Sequence, residues 1–367
     1  MDQIPVAEYE TLLANKTRQI KTQFAQFTPP TLEVFSSAPQ NFRLRAEFKI
    51  WHDGDRCFHA MFERGTKNKP FEVTHFPIAS QAITDLMPRL MEDINQNPVL
   101  KNRLFQLEYL NTLSGDMLVT LIYHRQLNEE WIAEANRLKA KYGIHIIGRA
   151  RKLRILLDQD HVIETLNVDG LNLKYKQIEG GFTQPNGEMN QKMLSWARDC
   201  AQGSKSWDLL ELYCGNGNFS IALADKFRQV FATEISKTSV KAANDNKAMN
   251  QLENVHFAKV SAEEFTAHMS GQRLRRRLQD MDLENANFGT VLVDPPRSGL
   301  DEDSCSMISQ YPNIIYISCN PDTLEENLKV LNQTHDIKRF ALFDQFPYTH
   351  HIECGVYLVK KESSSKD

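Results

Sequence analysis

Cys319 is the residue of this sequence best placed to act as a nucleophile. It directly follows the apolar run at residues 313–318, and the Asn-Pro-Asp at residues 320–322 is typical of a helix start. A thiol at a helix N-terminus has its pKa lowered from about 8.5 toward neutrality, and the thiolate is the reactive form. We therefore predict that Cys319 forms a covalent intermediate with its substrate.

Two other cysteines are rival nucleophiles. Cys214 lies inside a glycine-rich turn, and Cys354 lies in the last apolar run of the chain. A lone cysteine on an apolar strand is usually an inert core residue, whereas Cys319 stands at a strand end. No two of the six cysteines have the CxxC spacing of a zinc or iron–sulfur site. The sequence therefore predicts no metal and no iron–sulfur cluster.

A covalent nucleophile of this kind needs a base nearby, and Glu353 is the best candidate. It stands at the start of the run HHIECGVYLV, which we predict to be the last strand of a sheet. If this strand runs antiparallel beside the strand that ends at Cys319, the two residues meet. Alternation along the strand puts Glu353 and Cys354 on opposite faces. His350 and His351 are competing bases or phosphate contacts.

The segment ELYCGNGNFS, residues 211–220, follows another apolar strand and contains a Gly-x-Gly turn, which lets a ligand approach the backbone closely. Glu234 ends the next strand, 19 residues after Gly215, at the spacing of an acid that accepts hydrogen bonds from ribose hydroxyls. These features fit NAD, FAD or S-adenosylmethionine. Ser220 replaces the third glycine of the dinucleotide fingerprint, which favours S-adenosylmethionine because it has no pyrophosphate. Asp294 begins an Asp-Pro-Pro-Arg sequence at the end of a fourth strand, where α/β sheets bind their ligands.

Cys319, Glu234 and Asp294 each follow a short apolar run in the second half of the chain, and Glu353 stands at the start of another. These runs alternate with helical patterns such as residues 236–250 and 321–331. Continuous apolar strands alternating with helices predict a parallel sheet covered on both faces, an α/β fold. The first half opens with a helix within residues 1–30 and then mixes alternating strands with helices, which predicts an α+β domain. We place the boundary near Ile178, which gives domains of residues 1–178 and 179–367.

The formal net charge of −4 does not suggest a nucleic-acid binder, but the basic residues cluster. Each cluster is either a phosphate-binding surface or a solvated face. The clustered residues are Arg149, Arg151, Lys152, Arg154, Lys174, Lys176, Arg273, Arg275, Arg276 and Arg277. No apolar run reaches the ~18 residues that a membrane helix needs, and the polar N-terminus matches no signal or transit peptide. We therefore predict a cytoplasmic protein without membrane partners.

Five motifs in order resemble the uracil-5-methyltransferase family that acts on RNA, and within it the bacterial enzymes that make the T-loop 5-methyluridine of tRNA. The resemblance covers most of the chain. The motifs are FTQPN (182–186), LELYCGNGNFS (210–220), VLVDPPRSGL (291–300), YISCNP (316–321) and FDQFPYTHHIECGV (343–356).

The resemblance implies a class I, Rossmann-like S-adenosylmethionine-dependent methyltransferase domain preceded by an α+β RNA-binding domain. It implies methylation of uridine 54 of tRNA at C5 through a covalent adduct between Cys319 and C6, with Glu353 as proton acceptor. The S-adenosylmethionine contacts that it implies are Gln184, Tyr213, Asn218, Glu234 and Asp294. Asp294 is also a candidate contact of the uracil.

The chain departs from ribosomal RNA members of the family, which often carry a TRAM β-barrel and four cysteines for an iron–sulfur cluster. Here the chain begins with a predicted helix and Cys57 stands alone, and both features favour tRNA as the substrate. A second RNA with a T-loop-like hairpin stays open as a further substrate. The alternative reading is an RNA-binding or RNA-folding module with a vestigial methyltransferase fold. The intact pair of Cys319 and Glu353 argues against it.

Overall fold

The computed structural model describes residues 4–62, 69–271, 278, 281 and 283–362. Two compact units are present. The N-terminal unit consists mainly of Ala38–Thr165 and Lys176–Gly187, and the C-terminal unit consists of Ala7–Ser37, Leu166–Tyr175 and the chain from Glu188 onward. The boundary that we predicted near Ile178 therefore differs from these units in three ways, the first being that Leu166–Tyr175 belongs to the C-terminal unit. The N-terminal unit continues to Gly187, and the first helix belongs to the C-terminal unit.

The strands and helices follow one another in mixed order along the chain. The strands are β1 (Glu33–Phe35), β2 (Arg45–Asp53), β3 (Arg56–Phe62), β4 (Pro70–Glu72), β5 (Leu104–Asn111), β6 (Met117–Tyr123), β7 (His145–Ala150), β8 (Leu153–Leu156), β9 (His161–Val168), β10 (Leu171–Ile178), β11 (Asp208–Leu212), β12 (Val230–Thr233), β13 (Val255–Ala258), β14 (Phe288–Val293), β15 (Asn313–Ser318), β16 (His335–Phe343) and β17 (Glu353–Lys360). The helices are α1 (Tyr9–Gln23), α2 (Gln81–Gln96), α3 (Pro98–Lys101), α4 (Glu129–Tyr142), α5 (Gly187–Cys200), α6 (Asn218–Leu223), α7 (Lys237–Met249), α8 (Ala262–Met269), α9 (Glu302–Ile308) and α10 (Pro321–Leu331).

The N-terminal unit is built on a seven-stranded sheet in the order β4-β3-β2-β5-β6-β7-β8. Its neighbouring strands are antiparallel, apart from the parallel pair β6 and β7. Strands β2 and β3 form a hairpin, paired up to Asp53 and Arg56 around Gly54. Apolar residues of α2 and α4 pack into one core with one face of this sheet. Mixed strands and helices of this kind match the predicted α+β class.

The C-terminal unit contains an eight-stranded sheet in the order β1-β16-β17-β15-β14-β11-β12-β13. Paired strands are parallel except that β17 runs antiparallel to both of its neighbours. Strands β11, β12 and β14 are almost wholly buried, as expected of strands covered on both faces. Two apolar cores lie on the two faces: α1, α8, α9 and α10 contribute to one, and α5 and α6 to the other. Strand β17 runs antiparallel beside β15, which meets the condition that we set for Cys319 and Glu353 to lie together.

Helix α1 has an apolar stripe, Tyr9, Leu13, Ile20 and Phe24, which packs into the core of the C-terminal unit. Lys16 occupies a position within this stripe and is also buried. The chain then forms the edge strand β1, which pairs with β16 in parallel. The sequence did not indicate this strand, because three residues are too few for a periodic pattern. No helix among the described residues is long and apolar enough to cross a membrane.

Candidate active site

The glycine-rich turn between β11 and α6 is held open by positive backbone φ angles. Gly215 has φ 56° and Gly217 has φ 81°, a region that favours glycine. A Cβ at Gly217 would lie 2.8 Å from the ring of Phe257, whereas a Cβ at Gly215 would meet nothing within 4 Å. The turn is therefore packed on one side at Gly217 and open at Gly215, where a ligand can approach the backbone.

Glu234 stands at the end of β12 and faces this turn. One carboxylate oxygen accepts a hydrogen bond from the Gly215 backbone N–H at 3.1 Å, and the other accepts from the Ser236 N–H at 2.7 Å. Each oxygen of an ionised carboxylate has two lone pairs, so both retain capacity for a further donor. This geometry fits an acid that accepts hydrogen bonds from ribose hydroxyls.

Two of the other predicted cofactor contacts lie at the same turn, and a third lies in the N-terminal unit. The side-chain amide of Asn218, at the start of α6, exchanges two hydrogen bonds with that of Asn190 at 2.8 and 3.0 Å. Tyr213 lies within the turn with φ 62°, and burial raises the pKa of its half-buried hydroxyl. Gln184 is half-buried and belongs to the N-terminal unit. The structure thus brings Tyr213, Asn218 and Glu234 to one turn of the C-terminal unit.

Beneath the turn lies a buried acid that we did not single out from the sequence. Glu211 is in β11, and its carboxyl accepts a hydrogen bond from the Ser220 hydroxyl in α6. Burial raises the pKa of Glu211 to about 8, and the charges of Asp294 and Glu234 add to this effect. Glu211 therefore ties the strand before the turn to the helix after it.

The predicted nucleophile and the predicted base are brought together by strand pairing. Ser318, the last residue of β15, pairs with Cys354 in β17, so the next residue along, Cys319, comes level with Glu353. On its other side, Glu353 pairs with Phe343 at the end of β16. Of the six cysteines, all of them among the described residues, only Cys319 is not buried. The rival Cys354 is fully buried, which leaves it without access to a substrate.

Asp294 completes a group of two carboxyls and one thiol. It directly follows β14, which lies next to β15 in the sheet, and its charge acts on both Cys319 and Glu353. Burial raises the pKa of Asp294 to about 7. Burial also raises the pKa of Glu353, and the neighbouring Asp294 charge raises it further. Each of these acids can therefore take up a proton near neutral pH.

The thiol of Cys319 does not have the low pKa that we predicted. Burial raises its pKa to about 11, and the charges of Glu353 and Asp294 act in the same direction. Asn320 is the N-cap of α10, so the helix N-terminus is in place, but its dipole is outweighed by burial and two nearby acids. The prediction of a thiol pKa near neutrality is therefore wrong.

Arg297 is the cation of this edge of the sheet. Its charge lowers the pKa of both Cys319 and Glu353, against the effect of burial. Its guanidinium donates a hydrogen bond to a ring nitrogen of His351 at 3.0 Å, and the side-chain amide of Asn320 donates to its carbonyl oxygen at 2.8 Å. His351, which we considered as a rival base, therefore contacts the arginine beside the thiol. We did not single out Arg297 from the sequence.

The basic clusters are only partly available for phosphate. Arg149 and Arg154 both pair with the buried Glu179, at 2.6 and 3.2 Å. Arg151 and Lys152, in the turn between β7 and β8, are exposed. The predicted cluster from Arg273 to Arg277 lies outside the described residues.

Aromatic and basic side chains meet on the N-terminal unit. The ring of Phe105 in β5 stacks on that of His124, with centroids 4.0 Å apart. The Lys49 ammonium lies 3.9 Å from the centroid of Phe105. Arg45 in β2 is half-buried, and its guanidinium donates a hydrogen bond to the Gly181 carbonyl oxygen at 2.8 Å. Lys49, Phe105 and His124 thus form an aromatic–basic cluster, and Arg45 has a structural role.

Comparisons with known proteins agree with these motifs. A family model described as tRNA (Uracil-5-)-methyltransferase matches residues 8–361. The tRNA/tmRNA (uracil-C(5))-methyltransferase of Vibrio atlanticus (strain LGP32) is 53% identical over 360 residues, which cover 96% of this chain and 97% of the relative. The protein of the same description from Psychromonas ingrahamii is 54% identical over 357 residues, 96% of this chain and 97% of the relative.

A solved structure shares the fold. It is the Pyrococcus abyssi tRNA (uracil-54, C5)-methyltransferase in complex with S-adenosyl-L-homocysteine, with a TM-score of 0.72 and 20% identity, covering 96% of this chain and 83% of the other. The C-terminal unit therefore has the class I methyltransferase fold that the sequence predicted. With the family model matching nearly the whole chain, the protein belongs to the tRNA (uracil-5-)-methyltransferase family.

Proposed function

We propose that this chain methylates C5 of the T-loop uridine of tRNA, position 54, in the cytoplasm, through a covalent adduct of Cys319. The observation that carries the proposal is the grouping of the accessible Cys319 thiol with two carboxyls, the buried Glu353 and the half-buried Asp294, at the carboxyl edge of the C-terminal sheet. Methylation of a pyrimidine carbon needs such a pair of nucleophile and base. A vestigial site would have no reason to retain both groups in register.

S-adenosylmethionine, when bound, supplies an electrophilic methyl group. The turn at Gly215 and the carboxylate of Glu234 fit its nucleoside part, because the turn is open and both carboxylate oxygens can accept a further hydrogen bond. Tyr213 and Asn218 belong to the same turn, and Asp294 lies at the end of the neighbouring strand β14. Gln184 follows β10 in the N-terminal unit and is proposed as a contact from the family motif alone.

Cys319 starts the reaction by adding its sulfur to C6 of the uracil. The addition turns the ring into an enolate with electron density at C5, which otherwise reacts poorly. Because the pKa of the thiol is about 11, its proton must leave as the carbon–sulfur bond forms. Arg297 stabilises the thiolate that this requires, since its charge lowers the thiol pKa.

The two carboxyls take two different protons. After methyl transfer, a base must remove the C5 proton so that the enolate re-forms and expels the thiolate. Glu353 is level with Cys319 and serves as this base, so it must be unprotonated at that step. We assign the thiol proton to Asp294, the second acid whose charge acts on Cys319. When the carbon–sulfur bond breaks, the proton returns from Asp294 to the sulfur. Glu353 then releases the C5 proton to solvent, which restores the starting state.

The N-terminal unit is proposed to bind the tRNA. Its aromatic–basic cluster, Lys49, Phe105 and His124, combines a cation with stacked rings, which is the composition that binds unstacked loop bases. The exposed Arg151 and Lys152 are proposed to contact phosphates. Since the relatives are described as acting on tRNA and tmRNA, we also propose a T-loop-like hairpin of tmRNA as a second substrate.

Nucleoside analysis of tRNA incubated with the protein and S-adenosylmethionine tests the proposed function. We expect 5-methyluridine at position 54 with wild type, and neither product nor covalent adduct with Cys319→Ala. Cys57→Ala, which removes a buried thiol of the N-terminal unit, is the matched control. A tRNA that binds tightly but stays unmethylated would support the RNA-folding module instead.

A further inference from the structure

Lys16 is a buried charge in an otherwise apolar stripe of α1. Its side chain is only 9% exposed. The ammonium donates one hydrogen bond to the Asp344 carboxylate at 2.8 Å and another to the Phe346 carbonyl oxygen at 2.9 Å. Tyr9, two turns earlier on α1, also hydrogen-bonds to Asp344 and lies against the ring of Tyr348. Helix α1 thus makes several contacts with one short segment, residues 344–352, the β16–β17 loop.

The β16–β17 loop leads directly into the catalytic base. Its first residue, Asp344, is 2% exposed and donates its backbone N–H to the Phe35 carbonyl oxygen in β1 at 3.0 Å. Tyr348 in the loop has φ 63°, a strained conformation for a tyrosine that neighbouring contacts must maintain. The loop ends with Ile352, just before Glu353. The conformation of this loop therefore depends on α1 and β1, which precede it by about 300 residues.

The far end of the loop contacts the arginine of the active site. His351 accepts a hydrogen bond from the Arg297 guanidinium at 3.0 Å, and its ring lies against those of His350 and Phe346. The charged groups that act on His351 are Arg297, His350 and Lys16. Those that act on Cys319 are Glu353 from β17 and Asp294 and Arg297 from the segment after β14. Arg297 is thus a cation that acts on both His351 and Cys319.

We propose that Lys16 is a positioning residue: it holds the β16–β17 loop so that His351 keeps the Arg297 guanidinium beside Cys319 and Glu353. The inference rests on the proposed function for its role in catalysis, but the placement of Arg297 can be tested without it. Replacing a buried ion pair by neutral side chains often leaves stability unchanged, so stability alone does not explain why α1 carries this charge. A requirement for one loop conformation does explain it.

Alkylation of Cys319 by iodoacetamide, followed across pH and assigned by peptide mass mapping, tests this proposal without RNA. The other five cysteines are buried, so the accessible thiol is the reporter. In Arg297→Met, loss of the nearby cation should move the midpoint to higher pH by about half a unit, a roughly threefold lower rate below the midpoint. Lys16→Met/Asp344→Asn, which leaves no lone buried charge, should shift it in the same direction. Lys21→Met, an exposed lysine of α1, should leave it unchanged.

Combining Lys16→Met/Asp344→Asn with Arg297→Met should give no further shift, because both changes act through the same guanidinium. A shift in Arg297→Met without one in the Lys16 variant overturns the proposal, and so does an additive shift in the combination. If the Lys16 variant fails to fold, Tyr9→Phe serves in its place, because it removes one contact to Asp344. It should give a smaller shift of the alkylation midpoint, and an unchanged midpoint would contradict the proposal. Adduct formation by wild type with T-arm RNA containing 5-fluorouridine is measured in parallel. Its failure would overturn the proposed function and leave the alkylation result intact.

Discussion

Variants of Cys319 and of Glu353 should stop the reaction at different steps, because Cys319 acts first and Glu353 acts after methyl transfer. In Glu353→Gln the thiol still adds and the methyl group still transfers, but no base removes the C5 proton. The thiolate then cannot leave. We expect a methylated protein–RNA species that survives denaturing gel electrophoresis, with turnover reduced by about 100-fold or more.

Glu326→Gln, which changes an exposed acid of α10, is the control for this experiment and should turn over like wild type. Normal turnover by Glu353→Gln would remove it from the base role. His350 would then be the next candidate, since His351 is engaged with Arg297. Adduct formation by Cys319→Ala would instead remove the nucleophile assignment.

Glu234 should control affinity for S-adenosylmethionine. Replacing it by alanine removes a charged acceptor from the ribose hydroxyls and also frees the backbone N–H of Gly215. We expect Glu234→Ala to weaken binding by about 1.5–3 kcal/mol. Calorimetric titration measures the dissociation constant, with the exposed acid change Glu253→Ala as control. An unchanged constant in a folded variant would exclude Glu234 from the cofactor site.

The sequence predicted that Cys319 and Glu353 lie together, which the pairing of β15 with β17 confirms, but it misjudged the electrostatics of the thiol. The local sequence pattern places Cys319 directly before a helix, and this context predicts a low thiol pKa. Burial and the charges of Glu353 and Asp294 come from strands distant along the chain, so a local rule does not include them. Arg297 and Lys16 were missed for the same reason. A lysine in the apolar stripe of α1 was nevertheless a visible signal that it needed a buried partner.

At the scale of elements, the turn between β11 and α6 should tolerate an added methyl group at one glycine better than at the other. Both Gly215 and Gly217 have positive φ, so alanine at either costs about 1–2 kcal/mol of backbone strain. Only at Gly217 would the new Cβ also meet Phe257, at 2.8 Å. We expect Gly217→Ala to lower the free energy of unfolding by about 1–3 kcal/mol more than Gly215→Ala, measured by urea denaturation.

Equal losses for the two variants would mean that Phe257 moves aside without cost. The affinity of each folded variant for S-adenosylmethionine gives a second comparison. Gly215→Ala places its methyl group on the open side of the turn, so it should weaken binding despite its smaller effect on stability.

The link between β11 and α6 should make stability depend on pH. Burial raises the pKa of Glu211 to about 8, so the folded protein keeps this proton between about pH 4.5 and 8, where the unfolded chain has lost it. Stability therefore falls as pH rises through this window. Glu211→Gln removes the titration and should be more stable than wild type at pH 8, by on the order of 2–4 kcal/mol.

Urea denaturation at pH 5 and pH 8 measures this difference, which should be smaller at pH 5. Glu284→Gln, at an exposed acid, should follow wild type at both values. A stability gain for Glu211→Gln that is the same at both pH values would contradict the assigned titration.

Most elements of the C-terminal sheet were predictable because each carries its own pattern. The predicted helix at residues 321–331 is α10, and the helix at 236–250 is α7 with Ser236 as its N-cap. Strand β1 and the membership of α1 in the C-terminal unit were not predictable. They depend on pairing with β16 and on packing with residues some 300 positions away, which no local periodicity reports.

At the scale of the whole molecule, a net charge of −4 conceals local basic surfaces, so tRNA affinity should still fall steeply with added salt. Lys152→Ala removes one proposed phosphate contact and should reduce the slope of log K against log salt by about 1. Phe105→Ala should weaken binding by about 1–3 kcal/mol with little change in slope, since stacking releases no counterion.

Filter binding across a salt series measures both quantities. Lys338→Ala, which changes a half-exposed lysine that pairs with Asp336 in the C-terminal unit, serves as the control. Binding independent of salt, or full affinity in both Lys152→Ala and Phe105→Ala, would contradict a tRNA surface on the N-terminal unit.

The contact between Lys16 and Asp344 spans 328 residues, which has a consequence for synthesis on the ribosome. At roughly 5–20 residues per second, α1 leaves the ribosome about 16–66 s before the segment that covers it. During that interval its stripe of Tyr9, Leu13, Ile20 and Phe24 has no final partner, while the N-terminal unit can already close around its own core. We therefore expect the newly made α1 to expose apolar surface that a chaperone can bind until the last strands are translated.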